Sequence, residues 1–282
     1  MARKKDKSVS PQYIGSPLNT PMLNYGVYHM TLVEKTLYSF LAILIGGFAG
    51  WIFYGGLFKK EGLPTAATYI SDAVIFTAVG LMAAKFFVPT IRRMLLDKRK
   101  KALQKQFIDF LEALSASLAA GNTVFGAIVN TRTDLLNQYS EKDYIITELT
   151  EIVNGMDNGK TLEEMLQNFS ERSGNEDIMN FGNVISNCYR LGGDFSDVVR
   201  HTRDIISDKV AVADEIATKI ASNKLQFNAM CIMPIILVAM LKLTSADFAN
   251  NLSSAVGVLV TTISIGIFVA SYFWGQKIIN IG

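Results

Sequence analysis

The residues of this chain best suited to chemistry are few and scattered. Asp72 and Lys85 carry charge inside a stretch, roughly Ala66–Val88, that is otherwise apolar. An ionisable group in hydrocarbon is costly to retain, so Asp72 is a functional candidate, with a helix-start acid near an interface as the plainer reading. The two lie ~20 Å apart at ~1.5 Å per residue, too far to pair along one helix. Glu163-Glu164, Glu176-Asp177 and Asp214-Glu215 are adjacent carboxylates. Neighbours in sequence point to different faces of a helix, which makes poor acid–base pairs, and solvated surface is expected for them. Gly155-Met156-Asp157-Asn158-Gly159-Lys160-Thr161 places three residues where a phosphate loop needs four, and it follows a helical pattern rather than a strand. It reads as a helix-to-helix turn. His201 between Arg200 and Arg203 reads as a hydrated basic turn. Cys188 and Cys231 form no CxxC pair, which favours neither a disulfide framework nor a zinc site. No Ser/His/Asp order and no HExxH can be assembled. The expectation is a protein that is not an enzyme and uses no cofactor or metal.

The elements around these residues explain the scarcity. Of 282 residues 50% are hydrophobic and 18% charged, and the mean hydropathy is +0.26, on the membrane side of ordinary globular domains. A net charge of +2 argues against nucleic acid as a partner. Residues 1–36 are read as a polar N-terminal tail, flexible or peripheral because so little of it is apolar. The basic residues Arg3, Lys4, Lys5 and Lys7 precede an apolar run that starts near Leu37 without a small-residue cleavage site, so an uncleaved anchor is expected. Residues 37–88 are a transmembrane hairpin. Leu37–Phe58 holds no charge over a length that crosses a bilayer, and its Gly46 and Gly50 form a GxxxG. Residues 59–64 make the turn, and Ala66–Val88 returns. Residues 225–282 form a second hairpin, with spans at Leu225–Leu241 and Leu252–Trp274, a polar turn at Lys242–Asn251 and a short C-terminal tail.

Between the hairpins, residues 89–224 are charged and helical in pattern. The basic run from Arg92 to Lys105 belongs on the cytoplasmic side, and anionic lipid is a possible partner for it. Apolar stripes at three- and four-residue spacing mark six helices, beginning with Leu103, Phe107, Phe110, Leu111, Leu114 and Leu118. Later signals include a capping box at Thr161…Glu164, a halt at Gly192-Gly193, and a helix capped by Asp194 with Asp197 in its first turn. The fold expected is an all-α membrane protein: four transmembrane helices in two hairpins flanking a cytoplasmic six-helix bundle, with both termini cytoplasmic.

Phe107–Thr123, Gly159–Gly174 and Asn183–Ile205 resemble, in that order, the opening, middle and signature stretches of the type II secretion system F domain. A single such domain with two spans on each side is most similar to the Tad (Flp) pilus inner-membrane platform proteins. The resemblance implies a bacterial inner-membrane platform that couples a cytoplasmic secretion or pilus ATPase to assembly of pilin or pseudopilin subunits. The second F domain of the two-domain platforms would come from a homodimer or a paralogous subunit. It also makes the Gly192-Gly193-Asp194 turn, with Asp197, the candidate interaction site or packing hinge, a plain helix cap being the other reading. The competing function is a small permease or transporter subunit using Asp72.

Overall fold

A computed structural model describes residues 10–57, 65–191 and 194–279. In order the elements are β1 Tyr13–Gly15, β2 Pro21–Leu23, α1 Leu32–Tyr54, α2 Ala66–Ala119, α3 Val124–Leu135, α4 Tyr144–Asp157, α5 Leu162–Ser173, α6 Glu176–Leu191, α7 Phe195–Thr244, α8 Ala246–Leu252 and α9 Ala255–Ile279. The chain divides into two compact units. The first gathers the segment up to His29 with Arg92–Ala211, and the second gathers Met30–Ile91 with Val212 onward.

In the first unit one apolar cluster takes side chains from the second half of α2, from α3 to α6, and from the start of α7. Phe107 is at its centre, with ring centroids 5.7 Å from Phe110, 6.2 Å from Phe169 and 5.4 Å from Phe181. Helix ends here are often satisfied from a distance. The N-cap of α4, Asp143, makes no side-chain cap bond. Instead the Ile145 N–H donates to Oε1 of Gln106, a buried residue of α2, at 3.0 Å, which removes one orphan donor of the first turn. At α5 the expected capping box is half formed. Thr161 Oγ1 accepts from the Glu164 N–H at 3.2 Å, while the Glu164 carboxylate pairs with Lys160 at 3.1 Å. Gly159, at φ +80°, completes the α4–α5 turn, as the failed phosphate-loop spacing suggests.

Two sequence expectations need correction. Described residues of the polar tail are not peripheral: β1 and β2 pair antiparallel, and Met22 and Tyr25 are buried in the first unit. Short strands with few apolar residues do not hold themselves together, and they gain order from what they dock against. The fold is therefore not purely helical. The first apolar helix also begins at Leu32 rather than Leu37, because Thr31 and Glu34 form a complete capping box. The residue 59–64 turn lies outside the described residues. The polar turn after Lys242 contains a short helix, α8, whose N-cap Ser245 accepts from the Phe248 N–H.

Among the described residues four helices are long and apolar enough to cross a bilayer, and their apolar stretches lie in the second unit. Two of them, α2 and α7, run on past the apolar stretch, with Pro89 and Pro234 inside them. Packing of α1 on α2 depends on missing side chains. A Cβ at Gly46 would lie 2.4 Å from Ala83 Cβ, one at Gly47 2.6 Å from the Phe76 ring, and one at Gly50 2.9 Å from Val79 Cβ. Across the contact, a Cβ at Gly80 would come within 2.8 Å of the Ile43 carbonyl oxygen. The GxxxG is thus an approach surface, and Gly80 is its unanticipated counterpart.

Gly80→Val should destabilise the second unit by about 1–3 kcal/mol through overpacking against backbone. Gly266→Val should be near neutral, since nothing lies within 4 Å of its Cβ position. Thermal unfolding of both variants in detergent tests this, and equal melting temperatures would refute the approach surface.

Candidate functional site

The densest set of buried polar groups lies where the N-terminal segment docks on α4 and α5. Tyr144, Glu148 and Glu151 sit at i, i+4 and i+7 of α4, and so share one face. Asn168 and Arg172 do the same on α5. The Arg172 guanidinium donates to both oxygens of Glu148, Nη1 to Oε1 at 2.8 Å and Nη2 to Oε2 at 2.6 Å. Side-chain exposure of the pair is 3% and 2%. Its Nε donates to Asn168 Oδ1 at 2.7 Å, and Nη1 also reaches the Leu23 carbonyl at 3.0 Å.

The segment supplies the rest. Tyr25 Oη donates to Glu148 Oε1 at 2.9 Å, its backbone N–H donates to the Arg172 carbonyl at 2.8 Å, and its ring packs edge-on against Tyr144. Ser16 donates to Glu151 Oε1 at 2.5 Å, and Thr20 donates to the same oxygen. Gly174, the left-handed cap of α5 at φ +59°, lies against Gly26, so that a Cβ on Gly174 would be 2.5 Å from Gly26 Cα.

Burial pushes the Glu148 carboxyl above the usual carboxylate range, with the Arg172 hydrogen bonds and charge pulling it back. Burial, reinforced by the Glu148 charge, likewise raises the Tyr25 phenol. Every donor named here already has its acceptor. The arrangement is a joint, with no proton left poised for transfer.

A second tie crosses the first unit at Asp177. It accepts from Gln104 of α2 at 3.0 Å and pairs with Lys209 of α7 at 2.7 Å, and this contact raises the Lys209 ammonium. The Glu176-Asp177 pair is thus not plain solvated surface, and Glu163 likewise accepts from Ser186 at 2.6 Å. Of the anticipated interaction residues, Gly192 and Gly193 lie outside the described residues. Asp194 Oδ1 accepts from the N–H groups of Ser196 at 2.8 Å and Asp197 at 3.4 Å. Asp197 pairs with Arg200 at 2.5 Å in the open. What these two display is the cap of α7.

In the second unit Lys242 and Asp72 converge on one helix end. The last carbonyls of a helix lack intrahelical donors, and in α1 the final backbone bond runs from the Gly55 N–H to the Trp51 carbonyl at 2.8 Å. The Lys242 ammonium donates to three carbonyls at this end, Trp51 at 3.0 Å, Ile52 at 2.9 Å and Gly55 at 2.7 Å, and lies 5.6 Å from the Trp51 ring centroid. A cation is also favoured there by the helix dipole. Asp72 Oδ1 accepts from the N–H of Gly56, at φ +88°, over 2.8 Å. The carboxylate singled out from the sequence therefore holds the chain as it leaves α1. Beside this end, Tyr54, Pro234, Val238, Ser264 and Phe268 help line an almost wholly apolar cavity of about 630 Å³.

The family model for type II secretion system (T2SS), protein F matches residues 110–242. Residues 110–242 carry a type II secretion system F domain. No curated protein and no solved structure matches it. The F domain starts within α2 and ends at Lys242, the cation that caps α1. Glu148, Glu151 and Arg172 lie inside the match, whereas Ser16, Thr20 and Tyr25 lie outside it. With four helices apolar enough to cross a bilayer among the described residues, that of α7 largely inside the match, the chain is a multi-pass membrane protein.

Neither Tyr25 nor Glu148 was marked as functional by its spacing. The available signal was the polar face Tyr144, Glu148 and Glu151 running beside the apolar stripe of α4. Among the described residues, no group of three His, Cys, Asp or Glu side chains is placed to hold a metal.

Arg172→Ala should destabilise the first unit by about 3–5 kcal/mol, because it leaves Glu148 buried and unpaired. Tyr25→Phe should cost about 1–2 kcal/mol. Losing Arg172 raises Glu148 further, so the folded state takes up a proton that the unfolded chain does not hold at the same pH. The penalty should therefore shrink as pH falls from about 7.5 to about 5. Denaturant titration at the two pH values measures it, and a pH-independent penalty would contradict the buried carboxylate.

Proposed function

We propose that this protein is the inner-membrane platform of a Tad (Flp)-like pilus or type II secretion machine. In this reading it couples a cytoplasmic ATPase to assembly and export of pilin or pseudopilin subunits. The observation that carries the proposal is the F-domain match over 110–242 on a chain with four apolar helices. Two continuous helices, α2 and α7, each join the charged block to an apolar span. A helix held by its own backbone bonds is stiff enough to carry a displacement along its axis, and such work needs no bond-making residue.

In this reading residues 89–224 lie in the cytoplasm and both termini face inward, as the basic run from Arg92 to Lys105 supports. A second copy or a paralogous subunit completes the platform. The Gly192-Gly193-Asp194 turn with Asp197 is the proposed contact or hinge at the start of α7. The permease alternative loses its motive, because Asp72 is engaged with the Gly56 backbone.

The purified chain should neither hydrolyse ATP nor move solute, and should retain a secretion-type ATPase in pull-downs from cells that express both. Cysteines placed at Asn122 and Asn250, both exposed, should react from the inside and the outside respectively. Asn250 spares the Lys242 cap. Labelling of both from one side would overturn the arrangement.

A further inference from the structure

Beside the joint at Arg172, the first unit has a polar cleft that the joint does not use. Its lining includes Met22 of β2, Arg132 of α3, Glu141 of the α3–α4 turn, and Ile146, Thr150 and Glu151 of α4. Met22 and Ile146 are buried, whereas the charged residues are of both signs and each is tied from behind. Arg132 Nε donates to Thr150 Oγ1 at 2.9 Å, and that hydroxyl donates to the Ile146 carbonyl at 2.8 Å. Glu151 is 9% exposed and takes both Ser16 and Thr20 on Oε1 alone. Among the described residues Glu151 Oε2 has no donor and neither Nη of Arg132 has an acceptor. No ion pair among them joins Arg132 to Glu141 or Glu151.

A charge withdrawn from water needs an opposite charge or hydrogen bonds, so a guanidinium and a carboxylate sharing one cleft ordinarily close on each other. Here Thr150 holds one and Ser16 with Thr20 holds the other, and each keeps atoms to spare. Groups fixed in advance lose little freedom when a ligand arrives.

The spare atoms select the ligand. Two Nη groups form a fork that matches the two oxygens of a carboxylate. A single carboxylate oxygen suits an ammonium, a point charge, better than a guanidinium that binds bidentately. A bare anion would meet the charges of Glu141 and Glu151, and a bare cation that of Arg132. The complement therefore carries both signs, with a methylene stem to lie on Met22 and Ile146.

We propose that this cleft binds an ammonium and a carboxylate presented together, as in free lysine or in a lysine beside an acidic residue of a partner polypeptide. Arg132 takes the carboxylate, and Glu151 with Glu141 takes the ammonium. The site is built within the first unit, and it stands or falls apart from the platform reading.

The test is equilibrium dialysis of the full chain in nanodiscs against radiolabelled lysine and, separately, against a lysyl-glutamate dipeptide blocked at both ends. At least one of the two should saturate at one equivalent per chain. The zwitterion ε-aminocaproate should displace it, whereas hexylamine and hexanoate, with one charge each, should need about tenfold higher concentrations. Arg132→Gln and Glu151→Gln should each weaken binding by about tenfold, the loss of one charge-assisted hydrogen bond. Glu141→Gln, at an exposed position, should weaken it too and serves where either of the others fails to fold. Tighter binding of lysine assigns the site to a free amino acid, and tighter binding of the dipeptide assigns it to a partner chain. Saturable binding of neither probe, or binding unchanged in the variants that fold, would mean separately hydrated charges and overturn the site.

Discussion

The first unit depends on a buried ion pair that is satisfied only because a remote segment reaches it. Taking a guanidinium and a carboxylate out of water costs several kcal/mol each, and their attraction offsets this only when the remaining hydrogen-bonding capacity is also filled. Arg172 and Glu148 meet that condition with two parallel bonds, Asn168, the Leu23 carbonyl and the Tyr25 hydroxyl. Residues 12–25, in turn, contain two three-residue strands and could not order themselves alone. The segment and the pair therefore need one another, and Gly174 at φ +59° leaves the space that lets Gly26 approach.

The second unit solves the same problem in an apolar setting. After the last backbone bond of α1, from the Gly55 N–H to the Trp51 carbonyl, the Ile52 and Gly55 carbonyls and the Gly56 N–H need partners from elsewhere. Lys242 and Asp72 supply them, one from α7 and one from α2, and both charges are thereby turned to a structural use. Close approach through Gly46, Gly47, Gly50 and Gly80 is what allows α2 to bring Asp72 to this end.

What could be read from the sequence follows from how local each signal is. The apolar stripes of α2 to α6 are periodic within a few turns, and Leu103, Phe107, Leu149, Phe169 and Ile178 are buried as that periodicity demands. The charge-free runs likewise mark the four apolar helices. Position 31 was legible too: Thr31 and Glu34 carry the same capping-box pattern as Thr161 and Glu164. The docked segment was not legible, because its composition is that of a tail and its order comes from Arg172, some 150 residues away. Asp72 misled for a related reason. A carboxylate amid apolar residues looks poised until its acceptor role at Gly56 is seen, and that contact is made by folding rather than by spacing.

These contacts bear on chemistry as well as on stability. A general base or nucleophile must keep a lone pair directed at substrate, in a pocket that substrate can enter. Glu148 spends its oxygens on Arg172 and Tyr25, Glu151 accepts from Ser16 and Thr20, Asp177 holds Gln104 and Lys209, and Asp72 holds Gly56. Each of these carboxylates is used to fix one stretch of chain against another. A polypeptide that places its costly buried charges at joints is built to keep its helices in register.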